Sequence, residues 1–247
     1  KMKPPGIMNG TNANLLQLST NEGLPTNDIT SFLETQDGAI WIGASAAALT
    51  HYDGENAFTY DYTGVYKMTF DKQGRLWMVN PAQRLIWVLD FKDDMEYTIT
   101  VTDSFAPLDI LCDHTGTIYM SAFENGFYRM DSEIKSLQKL VNEGTNKPWR
   151  LFEDSKDNLW LGFIDGIAVL DKERKERKTL SGNTNYDLNT YISDIKEDQS
   201  GTIWLCLPDS SLTNNSVSSS LLQLSLKDKK IKVLDAENGY NIKGRAL

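Results

Sequence analysis

The chain has 247 residues, of which 40% are hydrophobic and 24% charged, as in an ordinary globular protein with a core of its own. The net charge of −9 argues against nucleic acid as a partner, because such binding depends on neutralising phosphates. No apolar run has the length of a bilayer-spanning helix.

Five ten-residue segments of the chain resemble one another. They are "ETQDGAIWIG" from Glu34, "FDKQGRLWMV" from Phe70, "CDHTGTIYMS" from Cys112, "EDSKDNLWLG" from Glu153 and "EDQSGTIWLC" from Glu197. Their central aromatic residues, spaced 36, 42, 41 and 44 positions apart, are Trp41, Trp77, Tyr119, Trp160 and Trp204. A period near forty is typical of a propeller blade or of a pair of solenoid helices.

Each copy predicts a strand, a tight turn and a second strand, as in "DITSFLE" followed by "TQDG" and "AIWIG". The first turn position is aspartate in four copies, and its side chain can accept from the backbone two residues on. The fourth position is glycine in four copies and Asp157 in the other, as a positive φ requires. A third strand ending near an aspartate and a fourth strand such as "EYTITV" complete the copy.

These patterns predict an all-β fold, a β-propeller of four-stranded antiparallel blades. Helical periodicity is weak, which excludes the solenoid. The propeller forms one domain, 1–247, with blades at 24–61, 62–102, 103–143, 144–187 and 188–236 and the start of a further blade at 237–247. We expect the central aromatic residue of each copy to fill the space between adjacent blades.

Polar residues recur ten positions before each central aromatic residue, in the middle of the innermost strand. They are Ser31, Lys67, Asp109, Arg150 and Asp194. We expect them to line the central channel, with charges of alternating sign that can pair between blades. Solvated channel residues are the simpler interpretation, and a ligand site is the alternative.

The first copy, "GLPTNDITSFLETQDGAIWIG" followed by "HYDG", resembles the two-component regulator propeller repeat. The fourth and fifth copies match that repeat over their cores, and the second and third are degenerate. The resemblance implies the periplasmic sensor region of a hybrid two-component histidine kinase that responds to polysaccharides. It also implies a fragment of a seven-bladed propeller. Ala48 stands where the family prefers glycine, and the fifth copy carries the insertion "PDSSLTNNSVSSS".

No catalytic residue, metal site or cofactor is predicted. The two histidines, His51 and His114, fall in different blades, and no Cys-x-x-Cys, Walker or His-Glu-x-x-His motif occurs. The acidic pair Glu153–Asp154 is adjacent in sequence, so its side chains point to opposite faces and belong to a turn. Cys112 and Cys206 are predicted to be buried free thiols.

Candidate ligand-binding residues come from the loops that share one face of a propeller, by analogy with the fold alone. They are Asn27, Asp28, Asn80, Arg84, Phe123, Glu124, Trp149, Arg150, Phe163, Asp165 and Tyr191. Trp149 and Arg150 are the strongest candidates. The basic stretches 171–178 and 227–232 are interpreted as solvated hairpin tips.

The resemblance therefore implies a ligand-sensing extracytoplasmic propeller in which binding, not turnover, is the activity. Its expected partners are an oligosaccharide, other domains of the parent sensor and a second copy of the chain. Two alternatives remain open. One is a scaffold propeller that binds protein, and the other is a propeller lyase or hydrolase.

Overall fold

The computed structural model describes residues 18–101, 106–122, 126–130, 133–134, 137–140, 148–163, 166–179, 192–207, 220–225 and 230–234. A short 3-10 helix, Thr20–Glu22, precedes twenty strands. The strands of blade 1 are β1 (Ile29–Glu34), β2 (Ile40–Ala44), β3 (Ala48–Tyr52) and β4 (Ala57–Thr63). Those of blade 2 are β5 (Lys67–Phe70), β6 (Leu76–Asn80), β7 (Leu85–Asp90) and β8 (Met95–Thr100).

Blades 3 to 5 continue the same pattern. Blade 3 contains β9 (Pro107–Cys112), β10 (Ile118–Ala122), β11 (Gly126–Met130) and β12 (Leu137–Lys139). Blade 4 contains β13 (Arg150–Glu153), β14 (Leu159–Gly162), β15 (Ile167–Leu170) and β16 (Glu176–Thr179). Blade 5 contains β17 (Asp194–Glu197), β18 (Ile203–Leu207), β19 (Ser220–Ser225) and β20 (Lys230–Leu234).

Each blade is a four-stranded antiparallel sheet whose strands lie in chain order. The innermost strands contact one another in the sequence β1, β5, β9, β13 and β17. The predicted all-β propeller with four-stranded blades is therefore confirmed over five blades. The insertion at 208–220 and the predicted further blade at 237–247 lie largely or wholly outside the described residues.

The turns between the first two strands follow the predicted chemistry. In blade 2 the Gln73 N–H donates to Asp71 Oδ1 at 2.9 Å, and blades 3 to 5 repeat this contact. Gly74 has φ 82°, and Asp157 replaces the glycine of this position with φ 63°. The turn thus depends on an acceptor at its start and a left-handed residue at its end.

The core lies between the blades. Trp77 is fully buried and packs with Ile118 and Met120 of blade 3, and Trp160 packs in the same way against blade 5. Trp41 and Tyr119 occupy the equivalent places in the two other layers. The expectation that the central aromatic residues fill these spaces is confirmed for these four. Trp204 is only partly buried.

Leu18 and Leu24 cover the face of blade 1 that points away from blade 2, where they pack on Ile42 and Tyr52. Both cysteines are free, as predicted, but they are half-buried and not fully buried. Burial raises the pKa of the Cys112 thiol to about 11. Within the described residues, no helix is both long and apolar enough to cross a membrane.

Candidate functional site at the central channel

Four residues of alternating charge occupy the innermost strands of blades 2 to 5. Lys67, Arg150 and Asp194 each begin their strand, and Asp109 lies on β9. Asp109 interacts electrostatically with both Lys67 and Arg150, and Arg150 interacts with Asp194. The alternation of charge places oppositely charged residues of neighbouring blades close enough to attract one another. The uncharged fifth member, Ser31 of blade 1, is buried without a hydrogen bond to its hydroxyl.

Asp109 is the most deeply placed carboxylate of this row, with 5% of its surface exposed. Its Oδ2 accepts from the Leu151 N–H of blade 4 at 2.9 Å, and its Oδ1 accepts from the Ile110 N–H at 3.0 Å. Burial raises the pKa of Asp109, while the charges of Arg150 and Lys67 act in the opposite direction. The carboxylate thus joins blades 3 and 4 close to the channel.

Arg150 connects three blades. Its Nη1 donates to the Trp149 carbonyl at 2.8 Å and its Nε donates to the Ser193 carbonyl of blade 5. Its guanidinium lies over the Tyr66 ring, which precedes β5 in blade 2, at 5.9 Å from the centroid. Burial lowers the pKa of Arg150, but Asp109 and Tyr66 outweigh this and raise it. Two nitrogens of the guanidinium, Nε and Nη1, and one of its faces are therefore used in contacts within the protein.

In blade 1 the loop before β1 contacts the loop between β2 and β3. Asp28, just before β1, accepts from the Ser45 hydroxyl between β2 and β3. Asn27 accepts from the Thr20 N–H at 2.9 Å through its Oδ1. Arg84 is exposed with φ 57°, at the turn between β6 and β7.

Two other candidates are engaged in packing. Asn80 is 1% exposed, and its Nδ2 donates to the Thr63 carbonyl at 2.9 Å, which fixes the connection between blades 1 and 2. Phe163 is partly buried against the layer between blades 3 and 4.

Trp149 is half-buried, and its backbone N–H donates to the Gly162 carbonyl at 2.6 Å. Four candidates lie outside the described residues: Phe123, Glu124, Asp165 and Tyr191.

The first turns of the blades carry a second set of carboxylates. The indole N–H groups of Trp77, Trp160 and Trp204 donate to Asp71, Asp154 and Asp198, at 2.7, 2.8 and 2.7 Å. Each aspartate stands six residues before its tryptophan, so this contact was readable in the sequence although we did not predict it. The turn role predicted for Asp154 is confirmed.

Glu153 points away from Asp154, as the strand geometry requires, and reaches blade 3. Its Oε2 accepts from the His114 N–H at 2.6 Å, and its Oε1 lies 2.8 Å from His114 Nδ1. With Asp113, these residues bring three possible metal ligands within 4.8 Å of one another. Arg174 Nη2 already donates to Asp113 Oδ2 at 2.5 Å and to Glu153 Oε1 at 2.6 Å. A guanidinium is therefore the cation of this cluster.

His51, on β3, packs against Trp41 with the two rings tilted by 37° and 4.6 Å between their centroids. The two histidines thus lie in different blades and contact different partners, as expected. Among the described residues they do not form a joint acid–base pair with each other.

Comparison with known proteins supports the repeat and the fold. Residues 23–46 match the family model described as the two-component regulator propeller, which confirms the resemblance in the first repeat. No curated protein matches the sequence.

Solved structures that share the fold include the following three. The extracellular domain of a protein described as a hybrid two-component system from B. thetaiotaomicron has a TM-score of 0.68 and 18% identity, over 91% of this chain and 31% of that one. A streptogramin B lyase gives 0.67 and 14%, over 90% and 72%. Virginiamycin B lyase from Staphylococcus aureus gives 0.64 and 15%, over 83% and 69%. Identities this low indicate a common fold only, and the chain spans about a third of the two-component structure.

Proposed function

We propose that this chain is a ligand-sensing propeller of an extracytoplasmic two-component sensor, with a neutral oligosaccharide as its ligand class. The observation that carries the proposal is the row of alternating charges at the channel. Two cations, Lys67 and Arg150, stand among two carboxylates, Asp109 and Asp194. Asp109 and Arg150 are buried and engaged within the protein. The partly buried Lys67 and Asp194 are the members of the row that offer a donor and an acceptor of opposite charge, which suits a ligand rich in hydroxyl groups.

The match of residues 23–46 to the regulator propeller supports a role in sensing. The exposed Arg84 and the half-buried Trp149 lie on the candidate loops, and their side chains are of the types that hydrogen-bond to sugar hydroxyls and stack on a sugar ring. In this proposal Arg150 holds the inner strands together, and a bound ligand changes how the blades and the neighbouring domains sit relative to one another. Such a ligand acts by its different affinity for the two arrangements.

Thermal unfolding against a panel of neutral and acidic oligosaccharides tests the proposal. A ligand that binds only the folded chain stabilises it by about 2.7 kcal/mol at a hundred times its dissociation constant. We expect a shift of the midpoint with a neutral oligosaccharide and a smaller shift, or none, with acidic ones. Trp149→Ala should remove the shift, and Lys92→Ala, in an exposed hairpin distant in sequence, should keep it.

The midpoint of each variant without ligand is the control for folding. A shift that Trp149→Ala leaves unchanged contradicts the site. No shift with any glycan contradicts the ligand class. A lyase function rests on shared fold alone at 14% and 15% identity and makes a different prediction, loss of substrate over time.

A further inference from the structure

The outer circumference of the propeller differs between blades at one equivalent position. In each blade the central aromatic residue has a cross-strand partner on the third strand, and that partner in turn has one on the outermost strand. In blade 1 Trp41 pairs with His51 and His51 with Phe58. The same path ends at Tyr97, Gln138, Lys178 and Lys232 in blades 2 to 5. Blades 1 and 2 therefore place aromatic residues where blades 4 and 5 place lysines.

Five aromatic side chains meet at this edge of blade 1. We call them the aromatic rim cluster: Trp41, His51, Phe58, Tyr60 and Phe91. The Trp41 ring centroid lies 5.1 Å from that of Tyr60 and 5.5 Å from that of Phe91, and the His51 centroid lies 6.4 Å from that of Phe58. Phe91 comes from the hairpin between β7 and β8, so the cluster joins blades 1 and 2.

The cluster is open to solvent on its outer side. Phe58 and Phe91 are each 50% exposed and Tyr60 is 36% exposed, while Trp41 beneath them is 4% exposed. Rings gathered in this way form a continuous apolar patch, and such patches on a globular protein mark interaction surfaces. An isolated exposed ring needs no such explanation.

Negative charge surrounds the aromatic rim cluster. The outer hairpins and strands at 53–63 and 90–96 carry seven carboxylates and one basic residue, Lys92. Glu96 interacts with the Tyr62 hydroxyl, which places a carboxylate beside the ring that extends the row on β4. The hairpin at 172–178 in blade 4 has the opposite character, with five basic and two acidic residues. The acidic charge is thus concentrated around the exposed rings.

We propose that the aromatic rim cluster is the docking surface for a basic, extended segment of a protein partner. Arginine side chains of that segment stack on Phe58 and Phe91, whose ring faces attract a guanidinium, and pair with the surrounding carboxylates. Strand β4 is the outermost strand of blade 1, and among the described residues no strand pairs with its outer edge, so the segment adds there as a further strand. An acidic segment is repelled, and a neutral glycan uses the rings but not the carboxylates.

Fluorescence anisotropy with the 247-residue chain tests this inference. The probe is a labelled ten-residue peptide in which arginine alternates with serine, and the comparison peptides carry lysine or glutamate in place of arginine. We expect binding in the order arginine, lysine, glutamate, with no binding of the glutamate peptide. Raising the salt concentration should weaken the binding, because the carboxylates contribute to it.

Substitutions that keep the net charge distinguish this surface from general attraction to an acidic chain. Phe58→Ser combined with Phe91→Ser should weaken binding of the arginine peptide about ten-fold, as expected for the loss of two cation–π contacts. Phe32→Ser is the matched control, because Phe32 is 55% exposed and pairs with Ile42, which faces away from blade 2. Glu96→Gln, which in contrast removes one negative charge beside the rings, should reduce both the affinity and its salt dependence.

Three results would overturn the proposal. The first is equal binding by the Phe58/Phe91 double variant and the parent chain, with both folded by their thermal midpoints. The second is no preference for the arginine peptide over the glutamate peptide. The third is self-association of the chain that the same double substitution abolishes, which would assign the surface to a second copy.

Discussion

The first turns of blades 2 and 3 carry an aspartate at the same position, but the two carboxylates accept hydrogen bonds from different partners. In blade 2 the Asp71 carboxylate accepts from the Trp77 indole at 2.7 Å and from Arg75 Nε at 2.6 Å. In blade 3 the central aromatic residue is Tyr119, which has no indole N–H, and Asp113 accepts from Arg174 of blade 4 at 2.5 Å. Both carboxylates have only 1% of the side chain exposed.

The comparison shows that one buried acceptor can be satisfied locally or across a blade interface. A local donor six residues away stabilises one blade, whereas Arg174 stabilises the contact between two. The guanidinium of Arg174 also lies over the Tyr119 ring, 5.5 Å from its centroid. Buried polar groups must find partners, and the sequence supplies a different donor where the tryptophan is missing.

The largest effect is expected from Asp71→Ala. The substitution leaves the indole N–H of Trp77 and two backbone N–H groups without their acceptor, and it removes the Asp71 carboxylate from its ion pair with Arg75. We expect a loss of about 3 kcal/mol in the free energy of unfolding, measured by denaturant titration. Asp61→Ala, on the exposed strand β4, is the control and should change it by less than about 0.5 kcal/mol. A loss equal to that of the control would contradict this role.

Arg174→Met removes the ion pair between Arg174 and Asp113 that joins blades 3 and 4. It leaves Asp113 and Glu153 close together without a cation, and we expect a loss of about 2 kcal/mol in denaturant unfolding. In a double-mutant cycle with Asp113→Asn, the two changes should be coupled by about 1 kcal/mol or more. Lys172→Met, in the same hairpin but exposed, is the control. Simple additivity of the two substitutions would show that the ion pair is not the cause.

Blade 1 lacks the aspartate of this turn position, so adding one should stabilise the protein. Its turn reads Thr35–Gln36–Asp37–Gly38, and among the described residues Trp41 has no aspartate partner for its indole N–H. Thr35→Asp together with Asp37→Ser rebuilds the turn of blade 5, "DQSG". We expect a gain of about 1 kcal/mol from the new hydrogen bond, seen as a higher thermal midpoint. Asp37→Ser alone should give no gain, and an equal gain from it would refute the explanation.

The smallest expected effect is on the stability of the protein at low pH. Burial of Asp154 acts to raise the pKa of its carboxyl, but hydrogen bonds from Trp160 and Asn158 outweigh it and hold the pKa below the usual value. A carboxyl with a lowered pKa in the folded state stabilises the protein above the unfolded value of about 3.9 and loses that contribution as the pH falls further. Stability should therefore decrease below about pH 4. Asp154→Asn should make this decrease smaller when unfolding is followed from pH 6 to pH 2, and an unchanged pH profile would contradict the assignment.

The central aromatic residues, the turn aspartates and the left-handed turn position were predictable because each depends on residues close in sequence. A strand pair and its turn form a local unit, so the pattern of apolar residues, aspartate and glycine carries their geometry. The aspartate six residues before each tryptophan is equally local, and its hydrogen bond could have been read from the same segments. Thr35 in blade 1 and Tyr119 in blade 3 mark where that bond does not form.

The candidate site was predictable only in part. The alternating charges at the channel followed from their fixed distance to the aromatic residues, and the structure brings them together. Their use did not follow, because the contact of Arg150 with Tyr66 depends on how blades 2 and 4 face each other. Asn80 and Phe163 were chosen for their loop positions. In the structure the side chain of Asn80 is buried, and that of Phe163 packs partly buried against a hydrophobic layer.

The sequence by itself determined the repeat, the strands within each blade and the turns that join them, because hydrogen bonding and hydrophobic alternation act over a few residues. Only the tertiary structure decided the contacts between blades. Arg174 meets an aspartate 61 positions away, and Phe91 joins rings that belong to blade 1. Such contacts depend on the packing angle and register between sheets, which arise from the whole set of buried side chains and not from any one segment.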